Sequence, residues 1–134
     1  MVRLILLSAL VLAVPAQAAT PDLTPPPPDA DAAAWAAFGD NLVAALKTDN
    51  HGVRCSALQH VVAYGDRVDV RAARFEVVRL FRDHADKRVR LLALAALSTM
   101  RDGWVSDFLV RSARFEKDPH LAQLYLHAAR SAAS

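Results

Sequence analysis

Apolar residues in this chain recur at helical spacing, and runs of β-branched alternation are absent. From Ala30 to Lys47 an alanine-rich stretch carries Trp35, Phe38, Leu42, Val43 and Leu46 on one side. Gly39-Asp40 is expected to break it, with Asp40 capping the second piece. Gly52 to Tyr64 repeats the pattern with Val53, Ala57, Leu58, Val61 and Val62, and Gly65-Asp66 supplies the next turn. Asp69 is placed to cap a helix over 70–83 whose apolar face is Val70, Ala73, Val77, Leu80 and Phe81. Val89 to Met100 is apolar all the way round and predicts the central core helix. Gly103 to Phe115 carries Trp104, Val105, Phe108, Leu109 and Ala113 on one face. Asp118-Pro119 opens the last helix, with proline in the first turn, where a missing N–H costs least.

These segments fall into three pairs, 30–47 with 52–64, 69–83 with 86–100, and 103–115 with 119–132. Short connections make the members of each pair antiparallel. A phrase recurs where the second helix of a pair begins. Asp49-Asn50-His51-Gly52-Val53-Arg54-Cys55-Ser56-Ala57-Leu58 is echoed by Asp86-Lys87-Arg88-Val89-Arg90-Leu91-Leu92-Ala93-Leu94, Val53 and Val89 lying 36 residues apart. Asp118-Pro119-His120-Leu121-Ala122 is a partial third copy without the arginine. A period in this range indicates stacked helix pairs, each covering the apolar face of the next.

The phrase Asp-x-x-x-Val-Arg-x-x-Ala-Leu resembles the HEAT repeat family over about residues 40–132. The resemblance implies a small exported bacterial-type HEAT-repeat protein: all-α, a right-handed α-solenoid of about three antiparallel helix pairs, used as a scaffold or binding surface. It also implies a structural ladder in which turn aspartates bond helix arginines along the stack, here Asp49 and Asp86 with Arg54 and Arg90. Ala122 stands at the arginine position of the third copy, as in a terminal cap.

The N-terminus changes the picture of where the chain works. Residues 1–18 read as a signal peptide: Arg3 as the positive region, Leu4 to Val14 as the apolar core, and Ala16-Gln17-Ala18 as the cleavage site. The apolar run is short of the roughly 20 residues that span a bilayer as a helix. The expected location is therefore periplasmic or secreted. Residues 19–29, with Pro25 to Pro28 in succession, read as a disordered, polyproline-like tether ahead of a helical repeat domain over 30–134. Without Arg3 the basic and acidic residues nearly balance, which argues against a nucleic-acid partner. The single cysteine, Cys55, has no partner for an internal disulfide and reads as a structural thiol.

Candidate chemistry is sparse. His51 and His60 are nine apart and His120 and His127 seven apart, and neither spacing chelates one ion from a single helix. Ser56, Ser98, Ser106 and Ser112 are scattered on helices without a base beside them. No cofactor, metal or catalytic residue is expected, and the chain is not expected to be an enzyme. Arg67, Arg71 and Arg74 follow i, i+4, i+7 spacing and predict one positive stripe. Phe75, off the apolar stripe, is a candidate exposed aromatic beside them. The expectation is a non-catalytic protein-binding module or adaptor in the cell envelope, binding a protein partner through Arg67, Arg71, Arg74 and Phe75. The alternative is anion or lipid-headgroup binding through the same stripe. Self-association through an end of the stack is a further expectation.

Overall fold

The computed structural model describes residues 20–134. The expected signal peptide lies outside the described residues. Six α-helices and no strand are found among the described residues: α1 (Ala32–Leu46), α2 (His51–Tyr64), α3 (Arg74–Asp83), α4 (Lys87–Ser98), α5 (Gly103–Phe115) and α6 (Pro119–Ala133). No described helix is long and apolar enough to cross a membrane.

Short polar side chains set most helix starts, because an N-cap oxygen satisfies amides that have no partner inside the helix. Asp31 Oδ1 accepts from Ala34 N at 2.9 Å, and Asn50 Oδ1 accepts from Val53 N at 3.1 Å. Asp86, Asp102 and Asp118 cap α4, α5 and α6 in the same way. Two aspartates of the repeated phrase, Asp86 and Asp118, are therefore helix starters, whereas Asp49 precedes the cap Asn50 and is exposed.

Three expectations are corrected. α1 runs unbroken through Gly39-Asp40, because Gly39 is buried against the backbone of Asp69 and Asp40 points to solvent. The helix expected over 70–83 begins only at Arg74, after a 3-10 turn at Arg71–Ala73. The Asp69 carboxylate captures both the Arg71 amide (3.1 Å) and its guanidinium (2.9 and 2.6 Å), and the backbone turns tightly before the helix begins. The proline-rich stretch is not a free tether over its described part. Leu23 and Ala30 pack against the core, Ala30 N donates to Pro27 O at 3.0 Å, and Arg67 donates to Pro28 O at 2.8 Å.

Each helix packs on its sequence neighbour as α1·α2, α3·α4 and α5·α6. Between pairs, α2 packs on α4 and α4 on α6. The other three approach one another less closely, α1 touching the second pair mainly at the 3-10 turn. One core results, with Leu42, Leu46, Leu58, Val61, Val77, Leu97, Val105 and Leu109 fully enclosed. Trp35 closes it at one end, tilted against Tyr64 with ring centroids 5.5 Å apart and covered by Arg67, whose guanidinium carbon lies 4.0 Å above the indole. α4 is less enclosed than its composition predicts, since Leu91 reaches solvent. The wider spacing of α1, α3 and α5 leaves open grooves between them, bridged by side chains.

Candidate functional site

The larger groove, about 760 Å³, runs between α1, the start of α3 and the start of α5. Ala36, Asp40 and Val43 form one wall, Arg71, Arg74 and Phe75 another, and Arg101 and Asp102 the third. Its organising group is Asp102, only 8% exposed. Asp102 Oδ1 accepts from Trp104 N at 2.8 Å and Val105 N at 3.4 Å, which starts α5. Oδ2 accepts from Arg74 Nη1 at 2.9 Å, which ties α3 to α5. One carboxylate thus serves as a helix cap and as an ion-pair partner between two helices.

The aromatic rim follows from that link. Arg74 stands 5.0 Å from the Phe75 ring centre and 5.7 Å from that of Trp104. Phe75 and Trp104 meet edge to face at 5.1 Å, 53% and 37% exposed respectively. Trp104 stacks in turn on Phe108, with centroids 5.5 Å apart and planes 3° from parallel. Two large rings therefore remain in contact with water beside a charged groove. Such a pair is more specific than a lone surface aromatic.

The arginine stripe is not formed as expected. Arg67 precedes the helix and lies away from the groove, over Trp35. Arg71 is held bidentately by Asp69, whose carboxyl is kept below its ordinary pKa chiefly by that side-chain bond. Arg74 is committed to Asp102. The positive charge at the groove is largely neutralised in place. Arg101, Asp102 and Trp104 belong to the site although the sequence pattern does not single them out for binding. Arg101 makes no ion pair among the described residues and sits at φ 47°, a left-handed conformation uncommon outside glycine and asparagine.

The ladder is corrected as well. Asp86 pairs with Arg88 at 3.1 Å, and Arg90 donates to the carbonyls of His84 (2.6 Å) and Ala85 (3.0 Å). Arg90 thus braces the α3–α4 turn instead of reaching a neighbouring pair. Asp49 and Arg54 border the same small recess without an ion pair, and Arg54 Nε is buried without a hydrogen bond. The aspartates cannot serve both roles here, because their oxygens are already occupied at helix starts or face solvent.

Three serine hydroxyls are engaged by the main chain. Ser98 donates to Ala95 O at 2.6 Å, Ser106 to Ala129 O at 2.9 Å, and Ser112 to Phe108 O at 2.9 Å.

A second groove of about 650 Å³ lies at the other ends of α3 and α5, lined by Phe81, Arg82, Arg90, Arg111, Phe115 and Tyr125 among others. Tyr125 donates to Glu116 Oε2 at 3.0 Å, and burial together with that bond pushes the phenol up to about 12. An ordinary tyrosine titrates near about 10. The folded state thus holds the proton more tightly, so this phenol's contribution is intact below about pH 10 and is lost as pH rises through 12. In a Tyr64→Phe background, spectrophotometric titration should place the Tyr125 midpoint near 12, and Glu116→Gln should lower it. An unmoved midpoint would remove Glu116 as a cause.

Comparison of the chain with protein-family models, with curated proteins and with solved structures gave no match.

Proposed function

We propose that the chain is a non-catalytic protein-binding module of the cell envelope, built as a short HEAT-like solenoid. The partner would dock on the groove between α1, α3 and α5. The observation that carries this reading is the exposed Phe75–Trp104 pair, held in place by the Arg74–Asp102 link. Aromatic side chains and arginine are the types that dominate binding energy at protein interfaces, and a fixed aromatic loses little entropy on binding. The order of the packing, α2 on α4 on α6 with the pairs in sequence, supports the solenoid reading. The repeated phrase supports the solenoid reading too, and the leader-like composition of residues 1–18 supports export. The engaged serine hydroxyls favour a binding role over acyl transfer.

The alternative, anion or lipid-headgroup binding, is less well supported, because Arg71 and Arg74 already hold carboxylates. The two readings separate in one experiment. A photo-crosslinking residue at position 75 should yield one dominant protein adduct in cells, lost in Trp104→Ala. The same residue at Ala63, exposed on α2, should yield none of it. Equal adducts from both positions, or lipid adducts alone, would defeat the protein-binding reading.

A further inference from the structure

The groove at the far ends of α3 and α5 differs from the aromatic groove in how its charges are engaged. In the aromatic groove Arg71 and Arg74 each hold a carboxylate. Here Arg82 and Arg111 are exposed and make no ion pair among the described residues. Glu116 does not answer them, because Oε1 accepts from Asp118 N at 3.0 Å and Oε2 from Tyr125 at 3.0 Å. Arg82, Arg90 and Arg111 against Asp83 and Glu116 leave the lining net positive. The floor is aromatic: Phe81 meets Phe108 edge to face at 6.1 Å and Tyr125 at 5.1 Å. Phe81 directly precedes Arg82, Phe108 lies one turn before Arg111, and Phe115 on the rim is 84% exposed. Aromatic rings beside unpaired guanidiniums suit a ligand that presents a carboxylate next to an apolar surface.

The chain itself carries such a group. Residues 20–46 contain four aspartates, Asp22, Asp29, Asp31 and Asp40, and no lysine or arginine. Pro27 to Ala30 form a β-turn, in which Ala30 N donates to Pro27 O at 3.0 Å. Pro28 takes the second position, where its fixed φ suits the turn. Arg67 donates to Pro28 O at 2.8 Å and pins the turn to the helical domain. Pro27, Pro28 and Asp29 nevertheless remain exposed, and Asp29 makes no ion pair among the described residues. The tip is a preformed apolar and anionic ligand, so little conformational entropy remains to be lost on binding. It is held away from the groove of its own copy. Arg67 precedes the 3-10 turn that leads into α3, and Arg82 lies near the other end of that ten-residue helix, about 15 Å long at about 1.5 Å per residue.

We propose that the turn tip Pro28-Asp29 of one copy docks in the groove of a second copy, at Arg82, Arg111 and Phe115. The Asp29 carboxylate pairs with the two guanidiniums, and the proline rings cover Phe115. Turn and groove are different surfaces of one chain, so the contact is head to tail and leaves each assembly a free turn and a free groove unless it closes into a ring. It uses none of the residues that line the aromatic groove.

The test is sedimentation velocity on the full chain over a concentration series. The weight-average mass should rise with concentration beyond that of a dimer. The rise should vanish at about 1 M salt, where the screening length is about 3 Å. Arg111→Glu and Asp29→Arg should each hold the chain as a monomer. An equimolar mixture of the two variants should associate again, because one keeps the native turn and the other the native groove. Phe115→Ala should weaken association by about tenfold or more, as loss of an aromatic anchor does. All three positions are exposed, so circular dichroism and the melting point should stay those of wild type and report an intact fold. A wild-type chain that is monomeric at every concentration, association that survives both charge reversals, or a mixture that stays monomeric would each overturn the proposal.

Discussion

Leu97→Ala is expected to destabilise the fold by about 2–5 kcal/mol, the range for a large-to-small change that leaves a cavity in a packed core. Leu97 is fully enclosed in α4, which touches α2, α3 and α6, so no single neighbour can collapse into the space. Domains of this size are stable by only about 5–15 kcal/mol, so the loss is a large share of the total. Urea unfolding should show the midpoint moving down with little change in slope. Leu91→Ala on the same helix is the control, because Leu91 is 37% exposed and should cost less than about 1 kcal/mol. Equal losses at the two positions would mean that the enclosed face of α4 is misassigned.

Asp102→Ala should be the most damaging polar substitution, at about 2–4 kcal/mol. Two losses combine. Removing an N-cap oxygen costs about 1 kcal/mol. Removing a charged hydrogen-bond partner costs about 1.5–3 kcal/mol, and Arg74, being partly exposed, recovers some of that from water. Asp102→Asn separates the terms, since asparagine still caps α5 but no longer pairs as a charge with Arg74. It should lose roughly half as much in denaturant unfolding. In an Arg74→Ala background the further loss from Asp102→Asn should nearly vanish. If Asp102→Ala stays within about 0.5 kcal/mol of wild type, the carboxylate is not what joins α3 to α5.

Helix content was legible because the apolar spacing from Trp35 to Leu46 and from Val105 to Ala113 leaves little choice of period. Phe75 was legible for the opposite reason: it falls off the apolar stripe, and it is exposed. The arginine stripe was misread because i, i+4, i+7 spacing has meaning only on a continuous helix. Asp69 captures Arg71 ahead of α3, and Arg67 lies before that turn. The ladder failed on a competition that spacing cannot display, between a neighbouring arginine and the nearest amides for one carboxylate. Trp104 reads as a core residue by periodicity, yet it lies on the rim where α5 faces the more distant α3.

The uneven packing sets an order in which the molecule comes apart. α4 is buttressed from three directions, while α1, α3 and α5 are held to one another mainly by side chains such as Arg74, Asp102, Phe75 and Trp104. Local opening takes the least supported elements first, at a fraction of the global unfolding free energy. The walls of the aromatic groove are therefore joined to one another less firmly than each is to its own paired helix. A partner seated between them would tighten the fold as it bound, and its affinity would carry the cost of that tightening.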